Sequence, residues 1–194
     1  MLFDAATFEM LKIGTLETLL MVSVASLLAY VIGIPLAIIL VVMDKDGIHP
    51  VPWLQRPLGI IINLIRSIPF IIFLVMMIPL TRIIAGTTLG VKGVIPPLTL
   101  ASAPYVARVV ESSFKEVDSG VIEAAKSMGA STMQIIMKVL LPEAKPSLLV
   151  GAALSITTIL SYSAMSGFVG GGGLGDIAIR YGYNRYETDI MLVT

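Results

Sequence analysis

Residues 121–146 read VIEAAKSMGASTMQIIMKVLLPEAKP, an amphipathic stretch set between two long apolar ones. Its punctuation is that of two helices and a turn. Just upstream, Asp118 and Ser119 carry side chains that accept hydrogen bonds from the free N–H groups of a helix start. Val121, Ala125 and Met128 then share one helical face. Gly129 follows, a residue that adopts positive φ without steric cost and so closes a helix. Ser131, with Gln134 three residues on, makes a capping-box pattern for a second helix. Met133, Ile136, Met137 and Leu140 repeat at helical spacing, and Pro142 is expected to stop the run. Glu123 stands beside Ala124 and Ala125, whose methyl groups leave a surface that another protein can approach closely. The pattern alone admits two readings: a helical pair lying on lipid headgroups, or a pair docking on a partner protein.

The surrounding chain belongs in a membrane. Charged residues are 13% of its 194 and hydrophobic ones 56%, with a mean hydropathy of +0.94. Soluble domains carry about 25% charge, so a core of this size cannot hide so much apolar surface from water. The zero net charge gives no reason to expect a nucleic-acid partner. The absence of cysteine excludes disulfides, thiol catalysis and cysteine metal sites. The single histidine, His49 in HPVPW, stands without other ligands and reads as a solvated loop residue, so no metal site is expected. The first apolar run is not read as a cleavable signal. Asp4 and Glu9 flank it with only Lys12 as a base, it is too long, and no A-x-A site follows.

Four spans are expected, over 15–43, 58–80, 93–110 and 147–168. The charge-free part of the first, Thr18 to Met43, makes ~39 Å of helix against a hydrocarbon core of ~30 Å. It must tilt or bend, and Gly33 and Pro35 offer the place. The loop DKDGIHPVPWLQRP ends it, with Trp53 suited to an interfacial anchor. Arg66 lies near one end of the second span, where its head can reach the headgroups. The third contains Pro96, Pro97 and Pro104, and closes on Arg108 and Glu111 at i,i+3 spacing. The fourth is charge-free yet rich in hydroxyls, and Gly151, Ser155, Ser163 and Gly167 recur at multiples of four. Such a stripe suits close helix packing or the wall of a solute pathway. Tyr162, Ser163, Met165 and Ser166 offer hydroxyls beside a soft apolar thioether, and they are the candidate pathway residues. The final stretch from Asp189 is apolar but too short to span.

Two motifs fall away. GGGGLG over 170–175 matches a dinucleotide fingerprint formally, but it lacks the preceding strand and the following acid. It reads as a flexible loop at a membrane surface. No phosphate-binding G-x-x-x-x-G-K-[ST] and no catalytic constellation is present, so energy for any work comes from elsewhere.

The spacing Glu123-Ala124-Ala125, Gly129, Val139-Leu140-Leu141-Pro142 resembles the EAA loop of bacterial ATP-binding-cassette importer permeases, with Val139 replacing the usual Ile. The segments NLIRSIPFIIFLVMMIPLTRIIAGTTLG (63–90), APYVARVVE (103–111) and SYSAMSGFVGGGGLGDIAIRYGY (161–183) are similar to the methionine-importer branch of that family, and the likeness runs from Gly14 onward. The resemblance implies an all-α polytopic membrane protein with the five-span type I importer core, its fifth span truncated in this chain. It implies a cytoplasmic coupling loop over 118–145, with Glu123, Ala124, Ala125, Gly129, Leu141 and Pro142 engaging a separate ATPase. That subunit, in two copies, would bind ATP and Mg; this chain itself would hold no cofactor. A second copy of the chain and an extracytoplasmic methionine-binding protein complete the implied assembly, in the bacterial cytoplasmic membrane. With the loop inside and three spans before it, the N-terminus lies outside. Charge hardly tests this: Lys45, Arg56, Lys115, Lys126, Lys138 and Lys145 fall inside, and Lys12, Arg82, Lys92, Arg180 and Arg185 outside. Transport of another amino acid or small solute remains open, because the loop says nothing of substrate. An ATP-independent channel or secondary transporter is disfavoured, since Arg66 and Arg108 intrude on the spans near their ends and supply no ion-coupling charge. An intramembrane enzyme lacks its catalytic groups.

Overall fold

The computed structural model describes residues 4–194, and every regular element among them is a helix. In order these are α1 (Ala5–Val42), α2 (Pro52–Ser67), α3 (Phe70–Met76), α4 (Ile78–Ala85), α5 (Gly90–Lys115), α6 (Ser119–Ser127) and α7 (Thr132–Ile135). A π turn (Ile136–Leu140) leads into α8 (Leu141–Glu143) and α9 (Lys145–Met165). A 3₁₀ turn (Ser166–Val169), α10 (Gly173–Ile177), a second π turn (Ala178–Tyr183) and α11 (Thr188–Val193) close the chain. Among the described residues, three stretches are long and apolar enough to cross a membrane, or four if α2 and α3 count as one broken span. That break has a local cause. Pro69 cannot donate a backbone N–H, and it disfavours helical geometry at Ile68. By contrast α1 continues through Pro35, starting where the Asp4 carboxylate accepts from Thr7 N at 2.8 Å and Thr7 Oγ1 at 2.7 Å.

The chain divides into two compact units. One comprises Ala29–Ser67 and Ala103–Ser155. Leu40, Ile62 and Ala107 form its apolar centre, with Leu36 and Leu58 packed against them. Apolar side chains gain little by leaving lipid for protein, so helices in a bilayer hold together by close fit. Glycines supply that fit on α5. A Cβ at Gly33 would lie 2.8 Å from Val106 Cγ1, and one at Gly151 would lie 2.5 Å from Val109 Cγ1.

The other unit comprises the residues up to Leu28, Ile68–Ser102 and Ile156–Thr194. Here the glycine-rich segment is pinned rather than flexible. Glu17 Oε2 accepts from Gly173 N at 2.7 Å, and Thr18 Oγ1 accepts from Leu174 N at 2.9 Å. Gly170 O accepts from Gly90 N at 2.9 Å. Gly173 has φ +75°, and a Cβ there would stand 2.6 Å from Thr18 Oγ1. The glycines thus let the backbone lie directly on α1. Outward, α1 exposes Leu16, Leu19, Leu20 and Leu27, a surface suited to hydrocarbon.

Candidate coupling surface

The opening stretch folds as a helix, a glycine turn and a helix. Asp118 Oδ1 accepts from Gly120 N at 2.7 Å, starting α6. At its other end Ala130 N donates to Ala125 O at 3.1 Å and Gly129 N donates to Lys126 O at 2.9 Å. That paired arrangement satisfies the last carbonyls of a helix and requires a left-handed residue between them. Gly129 is that residue, with φ +78° and no atom within 4 Å of where a Cβ would sit. α7 starts on a full capping box: Ser131 Oγ accepts from Gln134 N at 3.4 Å and Gln134 Oε1 accepts from Ser131 N at 2.8 Å.

Pro142 does not stop the helix. The π turn over Ile136–Leu140 precedes it, and Pro142 occupies the first turn of α8, where a missing N–H costs nothing. The chain therefore runs on into α9 almost directly. The apolar stripe also divides. Ile136 and Leu140 turn inward with Ile135 and Ala125, while Met133 and Met137, together with Met128, stay exposed. Of the six predicted coupling residues, Glu123, Ala124, Gly129 and Pro142 are exposed, Leu141 is half-buried, and Ala125 is only 5% exposed. The two adjacent alanines thus have separate tasks. Ala125 packs inward, and Ala124 presents a small outer surface beside Glu123 and the methionines.

Behind this surface lies a set of charges that the sequence does not advertise. Lys126 Nζ of α6 donates to Gly47 O at 3.3 Å. In the same turn, Asp44 Oδ2 meets Lys115 Nζ at 2.7 Å. Lys115 also reaches Glu111 Oε1 at 2.9 Å, and Glu111 Oε2 receives Arg108 at 2.6 Å. Arg108 donates onward to Gly59 O of α2 at 2.9 Å. The Arg108–Glu111 pair was read from its i,i+3 spacing, and Glu111–Lys115 at i,i+4 was equally legible but not singled out. Asp44 and Lys115 lie far apart in sequence and no periodicity links them. The Lys115 ammonium bonded to Asp44 holds its carboxyl below the usual carboxylate range, against the opposing effect of partial burial. A cavity of about 410 Å³ adjoins, lined by Val41, Ile48, Phe114, Val117, Ile122 and Leu140, with Asp44 and Lys115 among its polar groups.

The candidate pathway residues are not gathered on one face. Tyr162 stacks on Phe70 with centroids 4.7 Å apart. Ser163 and Ser166 are buried, their hydroxyls donating to Leu160 O at 2.7 Å and Ser163 O at 2.6 Å. Hydroxyls in an apolar helix commonly back-bond in this way. Met165 is 43% exposed. The small-residue stripe of Gly151, Ser155, Ser163 and Gly167 is buried throughout, as helix packing requires. Arg66 stands 5.7 Å from the Tyr105 ring centroid. No group of three or more metal-ligating side chains occurs among the described residues.

The capped helix pair with Ala124 exposed, in an all-helical chain with membrane-length helices, agrees with what the importer-permease resemblance implies. The profile of the family described as "Binding-protein-dependent transport system inner membrane component" matches residues 29–193. The chain belongs to this family. It is therefore a multi-pass inner-membrane transport component and not an enzyme. It is 48% identical over 190 residues to the probable D-methionine transport system permease protein MetI of Vibrio cholerae, covering 98% of this chain and 84% of that one. It is 47% identical over 154 residues to the D-methionine transport system permease protein MetI of Escherichia coli K12, covering 79% and 71%. A solved structure of the inward-facing methionine ABC transporter MetNI superposes with a TM-score of 0.95 at 43% identity, covering 98% of this chain and 90% of that one. An amino acid ABC transporter solved with histidines superposes at 0.75 with 21% identity, covering 96% and 84%, a likeness of fold. The fold of this permease is that of type I ATP-binding-cassette importers.

Proposed function

We propose that this permease forms the translocation pathway for ATP-driven uptake of methionine, coupled through α6–α7 to a separate ATPase subunit. The observation that carries the reading is the exposed, doubly capped helix pair, in a chain 48% identical to a D-methionine transport permease. Two ATPase subunits would bind ATP and Mg, a second copy of this chain would complete the pathway, and an extracytoplasmic protein would deliver methionine. Glu123, Ala124, Gly129 and Pro142 form the contact surface for the ATPase. Ala125 and Leu141 support it from within.

The helix pair faces the cytoplasm, where ATP is. The spans run approximately over 15–43, 58–80, 93–110 and 147–168, with the coupling loop at 118–145. The loop after α1 shares bonds with α5's end and with α6, which supports placing all three on the cytoplasmic side. The N-terminus then lies outside. Among the candidate pathway residues, Met165 is the gate. Tyr162, braced by Phe70, and the back-bonded Ser163 and Ser166 hold its helix end in shape.

The test is uptake of labelled methionine into proteoliposomes holding the full complex, with binding protein outside and ATP inside. ATP-dependent uptake competed by unlabelled methionine supports the reading. Uptake competed only by other amino acids retains the permease and discards methionine; uptake without ATP discards the coupling. For the gate, Met165→Cys should label at different rates with and without nucleotide, and equal rates would remove Met165 from that role.

A further inference from the structure

Besides the chain's own run through α7 and the π turn into α9, a continuous bonded path leads from α6 to the ends of α1 and α5. Lys126 Nζ holds Gly47 O at 3.3 Å. Gly47 closes a tight turn, its N–H donating to Asp44 O at 2.9 Å, and a Cβ at Gly47 would fall 2.4 Å from Val41 O. His49 N and Val51 N donate to Val42 O at 2.9 Å and Met43 O at 3.0 Å, fastening the turn to the end of α1. From Asp44 the path runs through Lys115, Glu111 and Arg108 to Gly59 O, each step between 2.6 and 2.9 Å. Glu111 is 4% exposed. A Cβ at Gly59 would stand only 3.2 Å from the Arg108 guanidinium, so glycine gives that contact its room. The ends of α1 and α5 and the body of α2 are thus joined by charge-assisted bonds of 2.6–2.9 Å, and α6 joins them through the longer, exposed Lys126–Gly47 bond of 3.3 Å.

We infer that Lys126, Asp44, Lys115 and Glu111 are positioning residues of the coupling step, transmitting displacement of α6 to α1, α5 and α2. The inference rests on the proposed coupling role of α6–α7. A buried ion pair is weak evidence of stabilisation in itself, since desolvation offsets much of its attraction. A role in transmission is distinguishable from one in stability, because it changes the ATP consumed per solute moved and not merely the amount of folded complex. Spatial continuity suggests a path, and coupling between variants demonstrates one.

The experiment uses the complete transporter in proteoliposomes, at matched amounts of assembled complex, and reads ATP hydrolysed per methionine delivered. Lys126→Met removes an exposed link without disturbing the interior. It should raise the ratio by about threefold or more, within the range of coupled neighbours. Asp44→Asn should do the same, and the double variant should exceed neither single by much, because both cut one path. Unchanged ratios, or effects that multiply in the double variant, overturn the inference. If Asp44→Asn fails to assemble, Lys126→Met decides alone. Gly129→Leu separates the two levels. Should it uncouple while Lys126→Met and Asp44→Asn do not, the path fails and α6–α7 coupling stands. Should the parent show no ATP-dependent uptake, both fall.

Discussion

Replacing Gly129 tests the proposed coupling turn at its one left-handed residue. The residue sits at φ +78°, where an L side chain costs ~1–2 kcal/mol. Nothing lies within 4 Å of its absent Cβ, so strain is the whole penalty in the permease alone. Gly129→Ala and Gly129→Leu should then cost alike, raising the open fraction of the turn by about 5- to 30-fold. Amide hydrogen exchange across 118–135 reads this directly, because Ala130 N is protected by its 3.1 Å bond to Ala125 O. The two variants should part company once the ATPase is bound. The leucine side chain projects into space that is open here and that a docked partner would fill. ATP-driven uptake should fall a few-fold for alanine and nearly vanish for leucine. Parent-like exchange in Gly129→Ala would refute the strain argument. Equal uptake by the alanine and leucine variants would refute docking at this turn.

Three further outcomes are expected. Ser131→Ala removes one half of the capping box and should destabilise α7 by ~1 kcal/mol, seen as faster exchange over 131–136. Gly151→Leu forces a side chain into Val109 and should cost about 1–3 kcal/mol, read as a lowered unfolding midpoint in detergent, with Gly151→Ala milder. The Asp44 carboxyl titrates below its ordinary 3.8 in the folded chain, so its pairing with Lys115 stabilises the fold above that pH and is lost as the pH falls through the folded value. Asp44→Asn should therefore be less stable than the parent near neutrality, with the gap shrinking below pH 3.8; a gap independent of pH would contradict the assignment.

What could be read beforehand was local. The caps at Asp118, Gly129 and Ser131 act over two to five residues, so their chemistry is written in adjacent letters. The apolar runs that make membrane-length helices are legible for the same reason. Features that depend on distant partners were hidden. Asp44 and Lys115 meet because α5 returns to the end of α1, and no periodicity announces that. The glycine segment looked flexible because glycine is permissive, yet Glu17 and Thr18 fasten it. Pro142 looked like a stop because a preceding π turn cannot be read from composition. That the Ser163 and Ser166 hydroxyls donate to carbonyls of their own helix is likewise not readable from their presence in the span. The pair Ala124 and Ala125 is the sharpest case, since identical residues in succession divide between surface and interior.

That division supplies the most direct measurement. Ala124 is exposed, so Ala124→Arg should leave the permease folded, whereas Ala125 is 5% exposed and Ala125→Arg should not. Co-purification of the ATPase with Ala124→Arg permease, with folding checked by the unfolding midpoint, reads the docking surface alone. The account predicts a parent-like midpoint and loss of the bound ATPase. A variant that retains the ATPase at full stoichiometry, and still drives uptake with ATP, would contradict the placement of the coupling surface on α6.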